Sequence, residues 1–412
     1  MQPIKEPLRF GRKCKHFSVK VVCFYYICNN ITLSTDMSIT IVPVETRRQM
    51  NQFIDFTLNL YHDCPYYVPE LAFDTRATLD PKKNPAFEFS EAQPMLALKD
   101  GKVAGRVVAL INQRVNEKWQ HKIVRFGWID FIEDYDVCKA LLDAVCAWGK
   151  ERGMDRLEGP MGFTDFDREG ALTTGFDRMA TMATIYNYPY YIEYYERYGL
   201  VKGADWIEHL VTVPEEIDER YANMSELLSQ RYNLHVTFAK NARDMKKNYA
   251  KDIFKLLNTC YADLYGFAQL SDRQIDKYVD DYITFADLSL IPMVFDENNN
   301  LIAVAIMIPY LAKALIKSHG KLFPFGWFHL LKSLYFCQGD TVEFLLVAIR
   351  PDFQSKGINA LLVSSLYPNL KKKGFTKAET NCNLVDNDKV INLWGHFPHE
   401  THKGRRAFIK DI

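Results

Sequence analysis

VEFLLVAIRPDFQSKGINALL, running from Val342 to Leu362, contains two changes of local structure within one short stretch. Val342–Ile349 is an apolar run rich in Val, Ile and Phe, the pattern of a buried strand. Arg350-Pro351-Asp352 ends it, because proline has no N–H for a central ladder. Gln354-Ser355-Lys356-Gly357 follows, and from Ile358 the pattern is that of a helix start. A strand, a tight basic loop with a glycine and a helix N-terminus turn several backbone N–H groups, and the positive end of a helix dipole, toward one point. Such a point suits an anion, above all a phosphate.

The pattern R-P-x-x-Q-x-x-G-I-x-x-x-L, Arg350 to Leu362, after a strand of form E-x-x-x-V-x-I, Glu343 to Ile349, resembles the coenzyme A motif of GNAT-superfamily acyltransferases. The resemblance implies that Gln354, Ser355, Lys356, Gly357, Ile358 and Asn359 hold the CoA pyrophosphate. Asn359 departs from the small residue usual there, although Ala360 follows. It also implies that strand Val342–Ile349 parts from the next strand, Thr376–Leu384. The pantetheine arm then lies along Val347 and Ile349, and the Val347 N–H serves as an oxyanion donor. An acyl-CoA, or an acyl carrier thioester, is the implied co-substrate, with no metal.

Working outward, the same grammar occurs twice. Ala140–Glu158 (A-L-L…G-M-D-R-L-E) and Ala360–Glu379 (A-L-L…G-F-T-K-A-E) form a weak, ordered repeat. Hairpin signals at Asp100-Gly101 and Asp296–Asn300 stand before each copy. The expected fold is therefore α/β (α+β): two tandem GNAT folds, each a mixed central sheet flanked by helices. The expected units are an N-terminal extension (1–36), a first domain (37–232) and a second domain (233–412). In the first copy the strand-to-helix turn reads Glu133-Asp134-Tyr135-Asp136. Three carboxylates repel a pyrophosphate and no glycine permits close backbone approach, so the acyl-CoA site is expected in 233–412 alone. The extension carries Lys5, Arg9, Arg12, Lys13 and Lys15 ahead of the apolar patch Val21–Cys28. It reads either as a poor signal sequence or, preferred, as a segment upstream of a true start at Met37.

Glu343 is an acid in an apolar strand. One reading makes it a general base whose pKa is raised by burial, and the GNAT strand glutamate falls at this offset. The other makes it a strand-end charge or half of an ion pair. Regular alternation places it on the face of Leu345, Val347 and Ile349. Many GNAT enzymes carry a proton-donating tyrosine on the helix that here contains Trp394; an indole is no acid near neutral pH, which leaves Tyr367, His396 or an unassisted thiolate. Asn381, Asn383 and Asn387 form a polar cluster beside it, read either as loop and cap or as substrate contact.

Lys+Arg and Asp+Glu both number 51, which removes the broad electrostatic case for nucleic acid. Nine scattered cysteines without a C-x-x-C pair indicate neither a disulfide framework nor a zinc site, and fit a cytoplasmic setting. Tyr310–Cys337 is apolar and basic, with no acid between Tyr310 and Gln338. It suits peripheral contact with the inner face of a membrane or a lid over an acyl chain; packing between the halves is the plainer alternative. The layout also resembles a bacterial group that includes the bacterial ceramide synthases, on Gly320–Gly326 and Asp386-Asn387. That implies transfer of a long acyl chain to a lipid amine such as a sphingoid base. The rival expectations are acetylation of a small polar amine or protein, and a non-catalytic acyl-CoA or lipid-binding module.

Overall fold

The computed structural model describes residues 39–282, 286–336 and 339–412; the N-terminal extension lies outside the described residues. Fourteen strands form one sheet. They are β1 (Ile39–Pro43), β2 (Ser90–Lys99), β3 (Lys102–Asn112), β4 (Ile123–Phe131), β5 (Arg156–Gly159), β6 (Ala171–Thr174), β7 (Val201–Thr212), β8 (His235–Thr237), β9 (Met293–Phe295), β10 (Leu301–Pro309), β11 (Thr341–Ile349), β12 (Lys377–Thr380), β13 (Asn383–Leu384) and β14 (His399–Asp411). The spatial order is β1-β2-β3-β4-β5-β14-β7-β12-β11-β10-β9-β8, with β6 on β14 and β13 on β7.

The sequence repeat marks the two parallel pairs. Helix Tyr135–Lys150 crosses from β4 to β5, and helix Asn359–Lys372 crosses from β11 to β12. Parallel neighbours need such a crossover. The first helix buries Val137, Leu141, Leu142 and Val145; the second buries Leu361, Leu362, Leu366 and Leu370. The turn before the first helix is closed by its own acid. Asp134 accepts from the Asp136 N–H at 2.9 Å and pairs with Lys99.

The sequence halves interlock. β14, at the end of the chain, runs antiparallel to both β5 and β7, and β7 pairs with β12. The division expected after Tyr232 puts β7 in one half and β14 in the other, so each half lends its last strand to the other's sheet. At this junction Lys403 on β14 donates to Glu208 on β7 at 3.0 Å and to Glu379 on β12. Arg405 donates to Glu208 and to the Ile185 carbonyl. All four charged side chains are buried. Burial alone raises a carboxyl pKa, yet Arg405 and Lys403 outweigh it and hold Glu208 down at about 2.

Two expectations needed correction. Thr376–Leu384 is two short strands. The Asn383 amide donates to Thr380 Oγ1 at 2.9 Å and to the Asn381 carbonyl at 2.7 Å, which turns the chain away from β11 and onto β7. Glu343 does not share a face with Val347 and Ile349. A bulge in the β10–β11 ladder pairs Leu346 with Ile306 and Phe344 with Met307, leaving Leu345 extra. One extra residue reverses the alternation. Phe344, Val347 and Ile349 pack on one side and Leu346 and Ala348 on the other.

Removing Lys403 from the buried junction leaves Glu379 without its cation, while Glu208 keeps Arg405, so Lys403→Met is expected to lower unfolding free energy by about 3–5 kcal/mol. Arg406→Ala breaks a partly exposed pair with Asp205 and a distant contact with the Phe408 ring and should cost no more than about 1 kcal/mol. Urea denaturation of both variants checks the contrast.

Candidate acyl-transfer site

β11 and β12 pair for four residues only, from Thr341 opposite Lys377 to Phe344 opposite Thr380. One further bond, Asn381 N–H to the Phe344 carbonyl at 3.0 Å, closes the join. Beyond it the strands part, and Leu345–Ile349 have only β10 as a ladder partner. The Arg350 N–H donates to Ile302 at 2.8 Å, so the alternating peptides of Val347 and Ile349 face the gap. The Val347 carbonyl accepts from Tyr261 at 3.1 Å. The Ile349 carbonyl accepts from Cys260 at 3.2 Å and Gln354 at 3.0 Å.

The loop beyond β11 is a cradle of free amides, reduced from the expected six. Gln354 and Lys356 N–H groups are spent on Pro351 and Phe353 of their own turn, at 3.3 and 3.4 Å. No hydrogen bond within the described residues occupies the N–H groups of Ser355, Gly357, Ile358 or Asn359. Ser355 and Gly357 both take positive φ, +61° and +84°. Alternating hands of this kind point successive N–H groups to one side, as in an anion nest. The Lys356 ammonium stands over Phe353 at 4.8 Å and Tyr232 at 5.4 Å.

A cavity of about 430 Å³ opens from the gap. Leu346 from one face of β11 and Val347 from the other both line it, so it passes through the parted sheet. Asn381, Asn383, Asn387 and Trp394 line one end, with the Trp394 ring edge-on to Phe344 at 5.1 Å. The buried Trp394 Nε1 has no hydrogen-bond partner. Of the other proposed proton donors, the Tyr367 hydroxyl is bonded to the Glu215 carbonyl and His396 is exposed; neither lines the cavity. Tyr261, which sequence reasoning missed, does line it and bonds to Val347.

Glu343 is 2% exposed and lies just beneath this cavity. Its cross-strand partner Ile308 lines the cavity, as do Met182 and Leu311, whose N–H groups face the carboxyl. Neither N–H reaches it with hydrogen-bonding geometry, and both oxygens are unpartnered. Glu379 stands opposite in the parallel ladder. Burial first, and then the Glu379 charge, push Glu343 up to about 8. Beside it Glu208, Glu379 and His402 offer ligand atoms within 4.8 Å of one another. The Lys403 ammonium bonds both of those carboxylates, and burial, followed by Lys403, lowers His402 to about 4.

The far wall was not anticipated. Asp165, Asp167 and Glu169 line the cavity from the loop between β5 and β6. Asp167 is structural, accepting from Phe163 and Thr164 N–H at 2.8 and 3.1 Å. Asp165 Oδ1 and Glu169 Oε2 have no partner. Burial pushes Asp165 up to about 7 and Asp167 to about 6; for Glu169, burial and the nearby Asp165 raise it well above the carboxylate range. D-x-D-x-E in a loop carries no motif signal. Only the fold turns it toward the gap.

A mixed sheet, a parted parallel pair, an amide cradle at its mouth and a second copy of the same unit define a class: this chain has the tandem GNAT fold. Solved structures agree. A tandem GNAT protein from the clavulanic acid biosynthesis pathway superposes with TM-score 0.52 at 11% identity, over 91% of this chain and 98% of that one. A fungal GCN5-related glucosamine N-acetyltransferase region within a multi-domain GH3 beta-N-acetylglucosaminidase gives TM-score 0.53 at 10% identity, over 91% of this chain and 38% of that one. Among sequences, the protein YghO of Escherichia coli (strain K12) is 25% identical over 378 residues, 89% of this chain and 94% of that protein. The bacterial ceramide synthase of Caulobacter vibrioides (strain NA1000 / CB15N) is 24% identical over 328 residues, 78% of this chain and 83% of that protein. No protein-family model matches the sequence.

The Glu343 carboxyl has a testable signature. The folded state keeps its proton while the unfolded chain releases one near pH 4.5, the ordinary value. Stability is thus greatest below pH 4.5 with respect to this group and falls as pH rises toward about 8, by up to about 1.4 kcal/mol per pH unit. Glu343→Gln should flatten that slope in denaturation curves taken across the window; an unchanged slope removes the raised pKa.

Proposed function

We propose that this protein is an N-acyltransferase that moves an acyl group from an acyl-CoA, or an acyl carrier thioester, to an amine. The observation that carries the reading is the parting of β11 from β12 after four paired residues, with unspent amides at its mouth. A cradle of N–H groups suits a diphosphate, and an open strand edge suits the amide-bearing arm that follows it. In this reading residues 233–412 hold the thioester and residues 37–232, without a nucleotide loop, supply the opposite wall.

Ser355, Gly357, Ile358 and Asn359 bind the diphosphate through backbone, and Gln354 and Lys356 shape the loop. Val347 and Ile349 flank the arm, with the Val347 N–H turned to the thioester carbonyl. The acceptor enters as an ammonium along the acidic wall, where Asp165 Oδ1 and Glu169 Oε2 lack partners. Glu343 takes the proton, through the layer of Met182 and Leu311 or a water between them. The amine nitrogen bonds to the acyl carbon, the carbon–sulfur bond breaks, and the thiolate is reprotonated; Tyr261 is the hydroxyl beside Val347. Asn381, Asn383, Asn387 and Trp394 contact the substrate at the other end.

The acceptor is a lipid amine, such as a sphingoid base, and the acyl chain is long. The cavity is mostly apolar, and Phe166, Ile253, Leu330 and Leu334 are among its walls. One relative bears the name bacterial ceramide synthase. On this reading the protein works in the cytoplasm, in peripheral contact with the inner face of the membrane through 310–337. No helix among the described residues is long and apolar enough to cross a bilayer.

Incubation with palmitoyl-CoA and sphinganine should yield the amide and free CoA together by mass spectrometry. Glu343→Gln is expected to lower kcat by about 10²-fold or more. Gly357→Val, which forces a side chain into positive φ, should raise KM for the thioester with a smaller effect on kcat. Consumption of acetyl-CoA alone, with no turnover of long chains, refutes the lipid acceptor.

A further inference from the structure

Four large apolar side chains stand in solvent within six consecutive residues: Phe323 is 80% exposed, Phe325 71%, Trp327 45% and Phe328 52%. Of the other exposed large apolar residues described, Phe73, Val201 and Val385 stand singly and Met224 and Leu227 form one pair on helix Glu219–Tyr232. Isolated exposure is ordinary, but a contiguous aromatic patch marks a surface meant to be covered.

The patch is ordered before anything covers it. It forms the turn of a helical hairpin, Ala312–Ser318 and Gly326–Phe336. Gly326 sits so close to the Lys321 carbonyl that a Cβ would come within 1.7 Å of it. Gly320, at φ +64°, presses on the Glu70 carbonyl at 1.9 Å by the same measure. Trp327 donates through its backbone to Leu322 at 2.8 Å and through its indole to Pro324 at 3.1 Å. A turn fixed in this way loses little freedom when its rings enter another phase.

We propose that Phe323–Phe328 is a wedge that seats the molecule on an anionic bilayer, and that the hairpin behind it delivers a lipid amine from that surface into the cavity. The delivery part rests on the acyltransferase reading; the docking part does not. Two observations select the occupant. The first is charge. Lys313, Lys317 and Lys332 of the same hairpin are exposed, and the sequence has no acid from Tyr310 to Gln338. Lys321 is excluded, being held by Asp55 at 3.0 Å. Aromatic rings amid lysines match the headgroup region of an anionic leaflet, where each basic residue adds attraction. A second copy of this chain seated on the same patch would bring those lysines against one another.

The second observation is continuity. The inner side of the hairpin, Leu322, Leu330 and Leu334, lines the cavity. The Ala72 N–H donates to the Gly320 carbonyl at 2.9 Å, joining the hairpin to helix Ala72–Thr78. Phe73 of that helix both lines the cavity and stands half exposed. One element thus carries the apolar tip outside and the cavity wall inside, so a single-chain amine need not cross water between them.

The test uses the full chain and sedimentation with vesicles of phosphatidylcholine alone or with equimolar phosphatidylglycerol. Wild type should bind the anionic vesicles, and more weakly as salt rises. The triple variant Phe323→Ser/Phe325→Ser/Trp327→Ser, with unchanged thermal melting, should bind at least tenfold more weakly. Lys313→Glu/Lys317→Glu should lose the preference for anionic lipid. In turnover, the triple variant should match wild type on a short water-soluble amine and fall at least tenfold on sphinganine presented in vesicles. Vesicle binding without acyl transfer to any acceptor upholds the wedge and refutes the enzyme. Equal vesicle binding by wild type and triple variant overturns the wedge. So does a concentration-dependent dimer, seen by light scattering, that the triple variant abolishes while vesicle binding is absent.

Discussion

Two cations and two carboxylates, buried where the halves exchange strands, fix the arrangement on which the rest depends. Lys403 and Arg405 lie on β14, Glu208 on β7 and Glu379 on β12. Their charges cancel, and each is worth little by itself because desolvation offsets attraction. Their value is positional. β14 slipped by one residue along β7 would turn Lys403 and Arg405 to the other face and leave Glu208 unpaired. The row therefore sets which strands meet at the centre of a long sheet, and in which register.

Glu343 follows from that balance. It is a third carboxylate beside a pair of cations already matched, on the next strand, directly across from Glu379. Lys403 offsets its charge only in part, so burial and its like-charged neighbour hold the proton on it. The bulge at Leu345 adds the geometric half. By reversing the alternation it brings Glu343 to the face of Ile308 and Leu346, beneath the cavity, while Val347 keeps its peptide at the gap.

Much of this was legible in sequence where the signal is local. The strand, the proline stop, the glycine loop and the crossover helix lie within one short stretch, and each has its own chemistry. The repeat foretold two copies of one α/β unit because the same helix-to-strand wording recurs. What sequence did not reveal is long-range. Nothing in His399–Asp411 says that it inserts between β5 and β7. The bulge changes only which residue faces which, and periodicity assumes that no residue is extra. Asn383 broke an expected strand through bonds to Thr380 and Asn381 that any loop asparagine has the means to make. The acids at 165–169 read as an ordinary polar loop until the fold folds them over the gap.

On the proposed reading, those acids give a task to the half without a nucleotide loop. A thioester site on one sheet offers an electrophile but little to select an acceptor. The first half closes its own turn with Asp134, and turns the loop after β5 toward the other half's parted strands. Buried carboxyls with raised pKa values exchange their proton for an incoming ammonium at little electrostatic cost, since the pair formed is neutral. The same surroundings favour the amine's conversion to its neutral, nucleophilic form once it moves past them into the apolar gap. On that reading the duplicated fold divides the task by charge, one copy gripping an anion and the other presenting acids. That division needs the two halves joined in one sheet, because a hinge between them would let water in to screen both.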